Sequence, residues 1–97
     1  MTTTSIALCT YNGEKFLFQQ LNSLTMQTIP PHEIVICDDC SQDRSVDIAM
    51  TFAKSVSVKV LIYKNNENLG YVKNFEKAIS LCTKDVIFLC DQDDIWY

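Results

Sequence analysis

The chain has 97 residues, 47% of them apolar and 21% charged, with a formal net charge of −4. This describes one small domain with enough apolar content for a core, and it excludes disorder as the default state. The negative balance offers no basic patch for nucleic acid, so an anionic ligand would have to be met by a metal, helix N-termini or a few placed lysines.

No apolar run approaches the ~18–20 residues of a membrane span. The start, Met1-Thr2-Thr3-Thr4, lacks the charged and apolar regions of a signal peptide. A cytoplasmic location is therefore expected.

Ser5-Ile6-Ala7-Leu8-Cys9 is a short apolar run that suits a buried parallel strand. Tyr11-Asn12-Gly13 breaks it, and Asn12 is expected to cap a helix starting near Glu14. In that helix Leu17, Leu21 and Leu24 recur at steps of four and three, which makes one apolar face, and Pro30-Pro31 is expected to end it. Glu33-Ile34-Val35-Ile36-Cys37 is a second buried strand, followed by a polar loop from Asp38 to Asp43. Val46, Ala49, Met50 and Ala53 mark the next helix face, and Val58, Val60 and Ile62 a third strand. After the polar loop Asn65 to Gly70, the residues Phe75, Ala78, Ile79 and Cys82 mark a third helix face. Val86 to Cys90 then read as a fourth buried strand.

Five cysteines, an odd number set mostly in apolar segments, fit reduced buried thiols better than a disulfide framework. Cys37-Asp38-Asp39-Cys40 has the C-x-x-C spacing, but its two carboxylates would raise a thiol pKa, and zinc would need further ligands that only His32 and scattered cysteines could supply.

The alternation β-α-β-α-β-α-β predicts an α/β, Rossmann-like parallel sheet with helices on both faces. Ligands of such sheets bind beyond the carboxyl ends of the strands. Three polar segments fall at that edge: Thr10-Tyr11-Asn12, Asp38-Asp39 and Asp91-Gln92-Asp93-Asp94. Three carboxylates within the last four repel one another unless a cation sits between them, and hard oxygen ligands suit Mg²⁺ or Mn²⁺. In extended chain Asp91 and Asp93 would share a side and could share a metal. An exposed Tyr11 could stack on a nucleobase, and of Asp38 and Asp39 one could face a ligand while the other caps a turn. Asn68-Leu69-Gly70 and Lys73 stand where backbone N–H groups and a cation could meet phosphate.

These segments, in this order, resemble the inverting nucleotide-sugar glycosyltransferases of the GT-A fold, and the chain is family 2-like. Ser5-Ile6 through Thr10-Tyr11-Asn12 with Leu17, Leu21, Ser23-Leu24 and Gln27 resembles the opening block of that family. Glu33 to Ile36 with Asp38-Asp39 and Ser41-x-Asp43 resembles its second block, and Asn68-x-Gly70 its third. Asp91-Gln92-Asp93-Asp94 is similar to its Asp-x-Asp metal motif. The resemblance implies that Tyr11 stacks on a uracil or thymine, that Thr10 lines the same pocket, that Asp39 accepts from the base, and that Asp38 supports the loop. It also implies that Asp91 approaches ribose or metal-bound water and that Asp93 coordinates a Mn²⁺ or Mg²⁺ ion bridging the diphosphate of a dTDP- or UDP-sugar.

Asp-Gln-Asp-Asp-Ile-Trp together with Asn68 to Phe75 looks most like rhamnosyltransferase-type members, which implies a dTDP-L-rhamnose donor and polysaccharide biosynthesis. The acceptor would be a glycan or lipid-linked sugar, with the full protein at the inner face of a membrane. Cys40 departs from the family pattern, since it stands where many members have glycine. On this reading residues 1–97 are the donor-binding part, the acceptor site and general base belong to a following segment, and apolar surface left for that segment invites self-association. Two other readings of the acidic cluster are a haloacid dehalogenase-type phosphohydrolase and a Mg-binding receiver-like domain. The first normally opens its chain on the acidic motif, and the second needs an acidic pair where this chain has Thr10-Tyr11-Asn12.

Overall fold

The computed structural model describes residues 2–27 and 30–90. Within them the elements run β1 (Thr4–Thr10), α1 (Glu14–Thr25), β2 (Glu33–Asp38), α2 (Ser45–Ser55), β3 (Lys59–Lys64), α3 (Tyr71–Leu81) and β4 (Val86–Cys90). The four strands form one parallel sheet in the order β3-β2-β1-β4. This is the expected α/β architecture with helices on both faces.

The chain adds β2 and β3 on one side of β1 and then crosses back to place β4 on the other. Strand order therefore reverses beside β1, and the carboxyl ends flanking that reversal form the crevice in which ligands of open α/β sheets bind. The loop after β1 and the carboxyl end of β4 lie at this crevice.

Two apolar layers follow from the alternation of side chains along each strand. On one face Ile6, Leu8, Ile34 and Ile36 pack with Leu17, Leu21 and Leu24 of α1 and with Ala49 and Phe52 of α2. On the other, Ala7, Cys9, Val35 and Cys37 pack with Phe75 and Ala78 of α3. The central strands β1 and β2 are covered on both sides, which is why their sequences are nearly continuous apolar runs.

Several sequence expectations shift. α1 ends at Thr25, before Pro30. Its last carbonyls are taken by side chains: Ser23 Oγ donates to the Gln20 carbonyl, Thr25 Oγ1 to that of Asn22, and Gln27 Nε2 to that of Ser23. Side chains near the end of the helix, rather than the prolines, thus supply partners for the Asn22 and Ser23 carbonyls. The buried face of α2 is Ser45, Ala49 and Phe52, while Met50 of the expected face is largely exposed. On α3 the buried residues are Asn74, Phe75 and Ala78, and Ile79 is exposed.

β4 is the largest departure. It was read as a buried strand, yet Val86, Phe88 and Leu89 are 38%, 46% and 54% exposed. Among the described residues β4 pairs only with β1, and α3 lies over β1 and β2 instead. An apolar edge strand has the same composition as a central one, so only its neighbours separate the two. Among the described residues no helix is long and apolar enough to cross a membrane.

The opposite, amino edge of the sheet is held by Glu33, which is fully buried. Its carboxylate accepts from Ser5 Oγ at 2.6 Å and from the backbone N–H and hydroxyl of Thr83 at 3.0 Å each, with Lys59 Nζ at 4.0 Å. Burial pushes its pKa up, but the Ser5, Thr83 and Lys59 interactions outweigh this and hold it below the ordinary glutamate value. This stability is present above the unfolded-state pKa of about 4.3 and is lost as pH falls through the depressed folded value. Glu33→Gln should cost about 1.5–3 kcal/mol in urea unfolding at pH 7. It should also flatten the loss of stability on acidification, measured as the change of the urea midpoint between pH 6 and pH 3.

Candidate functional site

At the carboxyl edge β1 and β2 end level, with Thr10 paired to Asp38. The two loops that follow are sewn together. Asn12 N–H donates to Ser41 Oγ at 2.8 Å, Gln42 N–H to Asn12 Oδ1 at 2.7 Å, Gly13 N–H to Ser45 Oγ at 2.8 Å, and Glu14 N–H to Asp43 Oδ2 at 3.0 Å. Asn12 therefore does not cap α1 as expected. It sits in the left-handed region at φ 50° and spends its side chain on the neighbouring loop, while Gly13 occupies the cap position.

Asp43 ties the starts of two helices. Besides Glu14 N–H in the first turn of α1, its carboxylate accepts from the Ser45 N–H at 2.9 Å and the Ser45 hydroxyl at 2.6 Å. Burial raises its pKa, but the Ser45 and Glu14 donors prevail and leave it below the ordinary aspartate value.

Asp38 and Asp39 divide the roles that the sequence left open between them. Asp38 closes the turn after β2, accepting from the N–H and hydroxyl of Ser41 at 2.9 and 2.5 Å. Asp39 is 5% exposed and turns the other way, toward the β3–α3 loop. Its Oδ1 accepts from Leu69 N–H at 2.7 Å and Asn65 Nδ2 at 3.0 Å, and its Oδ2 from Gly70 N–H at 2.9 Å. Burial alone would raise its pKa; the Leu69, Asn65 and Gly70 donors and the charge of Lys77 override that and hold it low, so Asp39 stays an anion. A carboxylate offers about four acceptor positions. Among the described residues three are used, and the remaining one is on Oδ2.

The Asp39 N–H donates to the Thr10 carbonyl at 2.9 Å, which sets this anion beside the start of the β1–α1 loop. Tyr11, next along that loop, is 47% exposed. Thr10 itself is 2% exposed, so its side chain offers little surface at this edge. The N–H groups of Leu69 and Gly70, expected as phosphate donors, are bound to Asp39 instead. Lys73 is exposed in the first turn of α3, at the same edge. Asp91 and Asp93 lie outside the described residues, and among those described no group of three His, Cys, Asp or Glu side chains could hold a metal. In the C-x-x-C pair burial pushes the Cys37 thiol up to about 11, partly offset by the Lys77 charge, which disfavours the thiolate that redox chemistry needs.

Sequence reading missed Asn65 and Asn74. Asn65 was taken as loop by composition, and Asn74 passed as a helix residue although it lies on the stripe that Phe75 and Ala78 bury. An amide on an apolar stripe was the available signal, because a buried amide requires partners.

A family model described as glycosyl transferase family 2 matches residues 5–97. The dTDP-rhamnosyl transferase RfbG of Shigella flexneri is 37% identical over 94 residues, covering 93% of this chain and 32% of that protein. The structure of S. aureus TarS in complex with UDP-GlcNAc superposes with a TM-score of 0.87 at 28% identity, over 96% of this chain and 27% of that one. The mannosyltransferase PcManGT of Pyrobaculum calidifontis, solved with GDP-Man and Mn²⁺, superposes with a TM-score of 0.90 over 98% of this chain and 28% of that one. At 19% identity the last likeness concerns the fold alone. The chain spans 16% to 33% of the length of the curated relatives considered.

Backbone conformation at this edge is itself testable. Gly70 has φ 83° and ψ 165°, a region open essentially to glycine, and an added Cβ would meet no atom within 4 Å. Gly70→Ala should therefore lower stability by about 1–2 kcal/mol in urea unfolding from torsional strain alone. Cys40, at φ 65°, is the converse case: Cys40→Gly should leave stability unchanged or raise it by up to about 1 kcal/mol.

Proposed function

The chain belongs to glycosyl transferase family 2, and from that premise we propose that it binds the nucleoside diphosphate of a sugar donor at the carboxyl edge beside β1. The observation that carries this reading is that a buried anion, Asp39, is joined through its N–H to the Thr10 carbonyl, next to the exposed Tyr11, and among the described residues keeps one acceptor position on Oδ2. An aromatic face stacks on any base, and the acceptor position selects one with an N–H to give. Uracil and thymine carry an imide N–H; cytosine has a lone pair there. The base would stack on Tyr11 and donate to Asp39, while Asp38 holds the turn that presents it.

Asp91 and Asp93 would hold a Mn²⁺ or Mg²⁺ ion, since two carboxylates at Asp-x-Asp spacing are a hard-oxygen donor set. Such an ion, when bound, offsets the charge that develops on the leaving diphosphate. Asp91 would also reach ribose, and Lys73 the phosphates.

Residues 1–97 would form the donor part of a longer transferase, with the acceptor site and the base that deprotonates the acceptor hydroxyl on a following segment. We take dTDP-L-rhamnose as the donor, supported by the likeness to a dTDP-rhamnosyl transferase, and a glycan or lipid-linked sugar as the acceptor. Among the described residues no disulfide joins the cysteines, which suits the reducing cytoplasm. The match over residues 5–97 disfavours the phosphohydrolase and receiver readings.

Calorimetric titration of this chain with UDP, dTDP and CDP, each with and without Mn²⁺, tests the proposal. UDP and dTDP should bind more tightly with Mn²⁺ and more tightly than CDP. Tyr11→Ala should weaken every nucleotide, by about tenfold or more. Asp93→Ala should abolish the gain from Mn²⁺, and Asp39→Ala should remove the preference over CDP. Binding that ignores both metal and base would refute the donor-site reading.

A further inference from the structure

Beneath Asp39 lies a connected set of polar side chains that reaches across three elements. Asn65, the residue after β3, is 8% exposed. Its N–H donates to the Asp38 carbonyl at 2.9 Å, and its own carbonyl accepts from Cys40 Sγ at 3.3 Å. Its side-chain Nδ2 donates to Asp39 Oδ1 at 3.0 Å and to Asn74 Oδ1 at 2.8 Å, and its Oδ1 accepts from Lys77 Nζ at 2.7 Å. Asn74, 2% exposed, donates in turn to the Cys37 carbonyl at 3.0 Å.

These partners leave the Asn65 amide one orientation. Turned over, it would set its oxygen against the oxygens of Asp39 and Asn74 and its NH₂ against an ammonium, so both ends would repel. Lys77 fixes the choice from the oxygen end, as the Asp39 carboxylate does from the NH₂ end, because an ammonium can pair only with an oxygen. The amide so oriented fills the second position on Asp39 Oδ1, alongside Leu69 N–H, and the carboxylate then presents its open position on Oδ2 alone.

We propose that Asn65 and Lys77 are positioning residues for nucleobase selection: Lys77 orients Asn65, Asn65 orients Asp39, and the relay makes the site choose a base that donates an N–H over one that does not. The proposal rests on the donor-site reading given above, with Asp39 as the base acceptor. Without the relay the Asp39 carboxylate can rotate or take water on Oδ1, and its Oδ2 is no longer held to accept the N–H of a base. Tyr11 stacking, which serves all bases, is unaffected.

The test is the ratio of CDP to UDP dissociation constants for this chain, read by calorimetry with Mn²⁺ in the wild type, Lys77→Met, Lys77→Arg and Asn65→Ala. Circular dichroism and urea unfolding identify which variants are folded. Lys77→Met should reduce the ratio by about fivefold, the worth of one hydrogen bond, through weaker UDP binding with CDP binding unchanged. Lys77→Arg, which keeps a cationic donor, should restore it, and Asn65→Ala should reduce it at least as far. A merely structural role would weaken UDP and CDP together and leave the ratio alone.

A folded Lys77→Met or Asn65→Ala chain with the wild-type ratio overturns the relay while the donor-site reading stands. Lys77 is partly exposed on α3, so its substitution should be tolerated, and a folded chain of either kind is sufficient to decide. A wild-type chain that binds UDP and CDP alike refutes Asp39 as the base acceptor, and the relay with it.

Discussion

The carboxyl edge of this domain is organised around a carboxylate that is buried and still charged. Burying an isolated anion costs several kcal/mol, and a group in that position either takes a proton or gathers donors. Asp39 gathers donors: the N–H groups of Leu69 and Gly70 and the amide of Asn65 surround it, with Lys77 behind. Sheet pairing and the apolar layer already bring the end of β3 and α3 close to β2. Asp39 adds to this by tying the β3–α3 loop, through the N–H groups of Leu69 and Gly70, to the end of β2. Among the described residues the same contacts leave the anion one open acceptor position, the feature on which the proposed base selection rests.

β2 is pinned at both ends in this way. Glu33, its first residue, draws Ser5 of β1 and Thr83 of the α3–β4 connection onto a buried carboxylate. Asp38, its last residue, closes its own turn through Ser41, which then holds Asn12 of the β1–α1 loop. Parallel strands have no hairpin to set their register, and their connections are long. Charged hydrogen bonds at the strand ends, added to the apolar layers between, supply register at little cost in chain length. The loop that carries Tyr11 is thereby fixed against the loop that carries Asp39.

Much of the architecture was legible along the chain because it depends on periodicity. Leu17, Leu21 and Leu24 repeat at helical spacing and are fully buried, and the runs ending at Cys9 and Cys37 are central strands. The expectations that failed depend on neighbours distant in sequence. Asn12 has the chemistry of a helix cap, yet Gln42 and Ser41 claim its side chain and its N–H. Val86 to Leu89 have the composition of a buried strand, yet lie at an edge among the described residues. Met50 fits the helical face by spacing, but the rotation of α2 is set by its packing against α1 and β3, which places Phe52 inside instead.

The amino-acid order by itself determined the alternation of strands and helices, the edge at which polar loops gather, and the family that these loops resemble. All three are written in local periodicity and in short motifs such as Asp38-Asp39 and Asn68-x-Gly70. Tertiary structure alone decided which of two adjacent aspartates closes a turn and which one reaches another loop. It also decided that Asn65, Asn74 and Lys77 are joined beneath the second. A carboxylate is the same residue whether it caps, bridges or recognises, and only the donors brought to Asp39 from 26 to 31 residues away, across the register of a parallel sheet, distinguish its role from that of Asp38.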